Sequence, residues 1–353
     1  MNDYTEIIKS VQALTNDCLP PLDISEILYN HKCYYLLSKK IQSNKYTEKA
    51  QMANNIQLIQ TVQRYKTCAA FFCFLNENNI KYAVIKGAVL SNAAYGTICV
   101  RQSCDIDILI ESKNLDIIKS FMQKNNFIQG RIVGNNIFPL SREEIMFQTL
   151  MTHQTAPYIK KTSNVFCPFV NVDINTDIVW GESQLHPNIS NVLSQTTDVK
   201  ICDQRLKKLN AELEFISLCL HHYKDMNSIY LLTVGGIRLC LFCDIYFYLK
   251  NNFIDKQLLK EFSKLLKVDK YIHYCLYYTN LVFNDEIIND YINLFAYAED
   301  AEIINSFGLD NDERKSWQIG FYERLFHENI GNYIYKFLTP KDIEKINMNI
   351  KYM

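Results

Sequence analysis

The chain has 353 residues, 48% of them hydrophobic, with 37 Lys and Arg against 38 Asp and Glu. That length is long for one domain and comfortable for two, and the apolar fraction is enough for real cores, which excludes a disordered chain. Balanced charge excludes a chain held to a polyanion by bulk attraction and leaves only a local basic groove open.

The N-terminal stretch MNDYTEIIKSVQAL shows helical periodicity with acids early. It lacks the basic start and continuous apolar block of a signal peptide, so the expectation is a cytoplasmic protein. Residues 1–78 read as a helical region, with apolar spacings of three and four at Ile7, Val11 and Leu14 and again at Ala70, Phe71 and Phe74, broken at Leu19-Pro20-Pro21. At Ile80 the texture changes. YAVI is a short β-rich run, and Gly87 then opens a small-residue helix that closes at Gly96.

The strand DIDILIE follows, then a helix from about Lys113 to Lys124 on Leu115, Ile118 and Phe121, then a strand in FIQGRIV. Ser141 with Glu144 forms a capping box before a helix toward Thr152, and residues 164–180 return to strand texture. From about Ala211 the patterns are helical again, and Thr339-Pro340 marks one more helix start. The expected division is a helical region 1–78, a mixed α/β centre 79–205 and a helical domain 206–353, an α+β chain overall.

Two features invite other readings. The window Leu231–Leu249 is apolar enough to suggest a membrane span, but Arg238 and Asp244 lie inside it, each costing about 2.5–3.5 kcal/mol at a bilayer centre. A buried helix pair hinged at Gly235-Gly236 is the expectation, with no membrane partner. The 12 cysteines are scattered through apolar segments such as those of Cys68, Cys73 and Cys219, and Cys240 and Cys243 form the only CxxC. They read as reduced thiols packed as small hydrophobes.

The chemistry concentrates at RQSCDIDILI. Residues two apart on a strand share a face, so Asp105 and Asp107 point together while Ile106 and Ile108 point the other way. Two close carboxylates repel unless a cation lies between them, and oxygen ligands suit Mg²⁺. Upstream, the strand that runs into Lys86 and Gly87 presents backbone N–H groups and an ammonium to an anion such as phosphate. Arg101 and Ser103 stand just before the acids, where a phosphate chain would satisfy both. Further on, Asn171, Asp173 and Asn175 alternate with apolar residues, so that Asp173 could complete a triad; Asp177 is a rival nearer the strand's end.

Other candidates are weaker. His153 lies between the capping-box helix and the Asp173 strand and could line the same cleft. His221 and His222 are adjacent, hence about 100° apart on a helix and poorly placed to share one metal; one of them, His222 by preference, could face a cleft. Asp244 could pair with Arg238 or reach the active site. No GxxxxGK[ST], GxGxxG or HExxH pattern occurs, which argues against a P-loop kinase, a dinucleotide enzyme and a zincin.

Strand-Lys-Gly-helix ending in Tyr95-Gly96, then RxSxDIDILI, then a later hydrophobic-Asp-hydrophobic strand, together resemble the polymerase β type nucleotidyltransferase superfamily, and most closely its bacterial branch of uncharacterised nucleotidyltransferases. The resemblance spans roughly residues 80–180 and, more loosely, the helical segments that follow. It implies a minimal palm, a mixed sheet with helices, holding two Mg²⁺ on Asp105, Asp107 and Asp173. Asp105 and Asp107 would bind both metals and the nucleotide phosphates; Asp173 would hold the metal that activates the acceptor hydroxyl and could accept its proton. Lys86 and Gly87 would cradle the phosphates. The superfamily usually has Gly-Ser at this turn, where Ala88 stands here. The implied activity is transfer of a nucleoside monophosphate from an NTP, ATP first, to a hydroxyl acceptor with pyrophosphate release. A small-molecule acceptor is favoured; modification of protein or RNA is one alternative and a catalytically silent nucleotide-binding scaffold another, with nucleic acid disfavoured by the charge balance.

Overall fold

The computed structural model describes residues 4–352 apart from 182, 299, 310 and 311. They fall into two compact units, one made chiefly of Asn54–Ser217, the other of Met1–Ala53 with Leu218–Lys351.

The first unit is built on a six-stranded mixed sheet. Its strands are β1 (Tyr82–Ile85), β2 (Asp105–Ile110), β3 (Ile128–Val133), β4 (Asn136–Pro139), β5 (Tyr158–Lys161) and β6 (Phe169–Asn175), in the spatial order β1-β2-β6-β5-β3-β4. The pair β2–β6 is parallel, whereas β1–β2, β5–β6, β3–β5 and β3–β4 are antiparallel. This is the α+β architecture that the sequence suggests.

Period-two alternation explains which face is which. Val84, Ile106, Ile108, Ile110, Val170, Val172 and Ile174 all enter one hydrophobic core with Phe71, Phe72 and Leu75 of helix Ala69–Glu77 and Ile118 and Met122 of helix Leu115–Lys124. Burying such side chains stabilises the unit by about 1.5–3 kcal/mol each. The alternate positions, among them Asp105, Asp107 and Asp173, are thereby turned to the sheet's opposite face.

Several expectations hold locally. Helix Gly87–Tyr95 follows β1 and closes at Gly96 in the left-handed region. The Ser141–Glu144 capping box caps helix Arg142–Thr152, with both reciprocal bonds formed. The strand texture of residues 164–180 shortens to β6, because Asp177 accepts backbone N–H bonds from Ile178 and Val179 and turns the chain. Strands β4 and β5, and a separate hairpin of β7 (Thr196–Ile201) and β8 (Gln204–Leu209), are additions to the sequence reading.

The second unit is helical. Within it, helices Ile229–Gly235 and Leu239–Asn251 meet at 108° across Gly235-Gly236, with Gly236 at φ +62°. A side chain at Gly236 would also run into Ile330. The expected hinge is therefore present, and no single helix among the described residues is long and apolar enough to cross a membrane. Cys243 packs with its Sγ 3.8 Å from that of Cys33, both of them buried free thiols. Pro340 opens the helix Pro340–Tyr352, as Thr339-Pro340 suggests.

Candidate active site

The acids meet because of strand register. In the parallel pair β2–β6, Asp107 is the direct partner of Asp173 and Asp105 that of Asn171, while on the other side Ile85 pairs with Asp107. Neighbouring strands lie about 4.8 Å apart, so three carboxylates crowd one small patch. Asp107 is only 6% exposed.

Positive and polar groups converge on Asp107. Lys86 Nζ lies 3.0 Å from its Oδ1, and Asn175 Nδ2 donates to the same oxygen at 3.2 Å. Lys86 reaches it from an unusual backbone, φ +58° and ψ −149°, followed by Gly87 at φ +46°. That first conformation is close to one that glycine alone adopts freely, and its strain is held by the surrounding fold at a site of proposed chemistry.

Burial pushes the Asp105 carboxyl above its ordinary range and the charge of Asp107 adds to this, with Lys86 and Ser103 working against it. Asp173 is pushed up further, by burial first and then by Asp107 and Asp105. Burial alone would lower the Lys86 ammonium, but attraction to Asp107, Asp105 and Asp173 outweighs it and holds the pKa up. The patch carries more negative charge than one lysine balances. Gln154 offers Asp173 a hydrogen bond, yet Asp173 Oδ1 is buried without a partner, as is Asn171 Oδ1 beside it. Orphaned oxygens on a cluster of hard ligands are the donor set that fits Mg²⁺.

Ser103 joins the Gly87 turn to the acids. Its Oγ donates to Asp105 Oδ1 at 3.2 Å and lies 3.4 Å from where a side chain on Gly87 would begin. A hydroxyl thus adjoins this turn although residue 88 is alanine. Two residues that sequence reasoning missed hold Ser103 in place: Arg64 Nη2 donates to its carbonyl at 2.7 Å and Gln57 Nε2 at 3.0 Å, both from helix Lys45–Thr67. Arg64 is 3% exposed and also eases Asp105 electrostatically. No local motif marks it, since its partner is a backbone carbonyl 39 residues away.

The remaining candidates are placed as follows. Arg101 lies half-buried in the loop before β2, its backbone N–H on Ser91 Oγ. His153 ends helix Arg142–Thr152 in the left-handed region, with Nδ1 3.9 Å from Asp177 Oδ2. Asp177 lies beyond the end of β6, and burial raises its carboxyl pKa. His222 belongs to the helical unit, fully buried, with Nε2 3.3 Å from Asp244 Oδ2. Asp244 thus stands against this histidine.

No curated protein matches the chain. Among solved structures it is similar to an antigenic nucleotidyltransferase-like protein from Paracoccidioides brasiliensis, at 15% identity and a TM-score of 0.37, over 69% of this chain and 94% of that one. A family model described as uncharacterised nucleotidyltransferase matches residues 29–284. That match takes in the whole six-stranded sheet, the three acids and the first long helices of the helical unit, and the chain belongs to this uncharacterised nucleotidyltransferase family.

Proposed function

We propose that the chain transfers a nucleoside monophosphate from an NTP, ATP first, to the hydroxyl of a small molecule, with Mg²⁺ bound at Asp105, Asp107 and Asp173. The observation that carries this reading is the Asp107–Asp173 register, with Asp105 two residues along the same face and one Asp173 oxygen left without a partner.

In this reading the acceptor oxygen attacks the α-phosphorus in line. A new O–P bond forms, the bond to the β-phosphate bridging oxygen breaks, pyrophosphate leaves, and the acceptor proton passes to the Asp173 carboxylate. Asp173 suits that role by position, on the face it shares with Asp105 and Asp107. Lys86, the N–H groups at Gly87 and the Ser103 hydroxyl bind the triphosphate, and Arg64 acts on it only by fixing Ser103. Mg²⁺, when bound, supplies charge neutralisation at the phosphates and lowers the pKa of the acceptor hydroxyl. Orientation of the two reactants contributes the rest.

Titration calorimetry of ATP, GTP, CTP and UTP with Mg²⁺ into wild type and Asp105→Asn/Asp107→Asn tests this. Binding of one nucleotide that needs Mg²⁺ and is lost in the double variant supports it, and pyrophosphate release then serves to screen acceptors. Absence of binding at millimolar nucleotide would sink it.

A further inference from the structure

The helical unit carries a second constellation, and we propose that His221, His222 and Asp225 form a binding site for a divalent first-row transition ion, zinc before the others. All three lie on helix Ala211–Asn227, and one donor atom from each lies within 4.8 Å of the other two. Adjacent helical residues diverge by about 100° at the backbone, but both side chains swing back. The two rings come to 5.6 Å between centroids, and Asp225, one turn on, places Oδ2 3.4 Å from His221 Nε2.

An independent observation marks the site as built for a ligand. His222 has no exposed surface, and neither of its ring nitrogens has a hydrogen-bond partner. Asp244, on helix Leu239–Asn251, stands 3.3 Å from Nε2 without completing a hydrogen bond. Leaving a buried imidazole unsatisfied costs about 1–3 kcal/mol. An ion on one nitrogen, with Asp244 orienting the ring through the other, gives the carboxylate–histidine–metal arrangement and satisfies both.

Two imidazoles and one carboxylate select the ion. Mg²⁺ and Ca²⁺ take oxygen ligands, whereas nitrogen donors suit Zn²⁺, Co²⁺ and Ni²⁺. Tetrahedral bonds of about 2.0–2.1 Å bring donors to about 3.3 Å from one another, so the side chains must close in by rotation. The His221 and Asp225 side chains retain 20% and 27% of their surface, which gives an ion a route in. Lys224, 3.9 Å from Asp225 Oδ1, is the cation it would displace. Three protein ligands leave a fourth position for water or an acidic ligand group.

The test uses the full chain, stripped with a chelator and titrated with Zn²⁺ alone and then Co²⁺ alone. The expected result is one equivalent bound, retained in Asp105→Asn/Asp107→Asn, with a visible cobalt band and no thiolate charge-transfer band. His221→Ala and Asp225→Asn, both at partly exposed positions, should each weaken affinity at least about tenfold with unchanged far-ultraviolet circular dichroism. His222→Ala should abolish binding, and the two other variants keep the test decisive if it fails to fold. No stoichiometric binding at micromolar metal, unchanged affinity in both variants, or a thiolate band from the cysteines would each overturn the proposal.

Discussion

Asp107 and Asp173 are register partners across the parallel pair β2–β6, a carboxylate pair that the fold brings together, with Asp107 buried and Asp173 partly so. Asp173 carries the consequence, since burial, then Asp107 and Asp105, raise its pKa well above the ordinary carboxylate range. A carboxyl raised on folding contributes stability that is complete below its unfolded pKa and is lost as pH rises through the folded value. The metal-free protein should therefore be weakened at Asp173 as pH climbs from the ordinary carboxylate range toward neutrality. Asp173→Asn should raise Tm near neutral pH, by about 2–4 °C for each kcal/mol relieved, and leave it unchanged in acid. Calorimetry of both proteins in a chelator across that window decides it; a variant less stable than wild type at neutral pH would count against the electrostatic account.

Lys86 combines two opposing effects that substitution can separate. Its ammonium compensates Asp107 at 3.0 Å, while its backbone sits at φ +58°. Lys86→Ala loses the charge and keeps the strain; Lys86→Gly loses the charge and relieves it. Both should destabilise, since an uncompensated buried carboxylate costs about 3–5 kcal/mol when deeply buried and less here, where the lysine is one-fifth exposed. Lys86→Gly should nonetheless be the more stable of the two, by about 1 kcal/mol after its larger unfolded-state entropy is subtracted. Urea unfolding measures the difference, and equal midpoints would mean that the backbone is not strained.

Arg64 tests whether Ser103 is held from behind. Arg64→Lys keeps the charge but loses the guanidinium geometry that reaches the Ser103 carbonyl at 2.7 Å. If Ser103 contacts the triphosphate, nucleotide Kd should weaken about tenfold, the loss of roughly one hydrogen bond's worth of positioning. Ser103→Ala should give a similar loss, and the double variant little more than either alone. Additive losses would show that Arg64 acts elsewhere.

The sequence made part of this site legible and hid the rest for definable reasons. Asp105 and Asp107 announce themselves because strand alternation is local, and Asp173 because Val172 and Ile174 flank it with the same period. The Gly87 turn is equally local. What a linear reading loses is partnership across distance: Arg64 to Ser103, Asn175 to Asp107 and His222 to Asp244 are separated by 39, 68 and 22 residues, and no spacing encodes them. Strands β4 and β5 were hidden for another reason. Each is only four residues long, β4 an exposed edge strand and β5 half lysine, so sheet membership comes from pairing with β3 and β6 rather than from a pattern of its own.

Metal addition provides the last prediction, and it runs opposite to the first. In a chelator the three acids repel, and Asp173 and Asp105 hold protons to higher pH than exposed aspartates. A cation among them favours the charged forms and lowers both pKa values, so its affinity rises with pH as those protons leave. Mg²⁺ should therefore raise the Tm of the wild type more at mildly alkaline than at mildly acidic pH. The stabilisation follows mass action, about 2.7 kcal/mol at one hundred times Kd. Asp173→Asn, already relieved of repulsion and short of one of the proposed ligands, should gain little from Mg²⁺ at any pH. Ca²⁺, larger and indifferent to octahedral geometry, should stabilise the wild type without supporting pyrophosphate release. Thermal shifts in Mg²⁺, Ca²⁺ and chelator across the pH range would read all three outcomes, and a Mg²⁺ effect equal in wild type and Asp173→Asn would remove Asp173 from the ligand set.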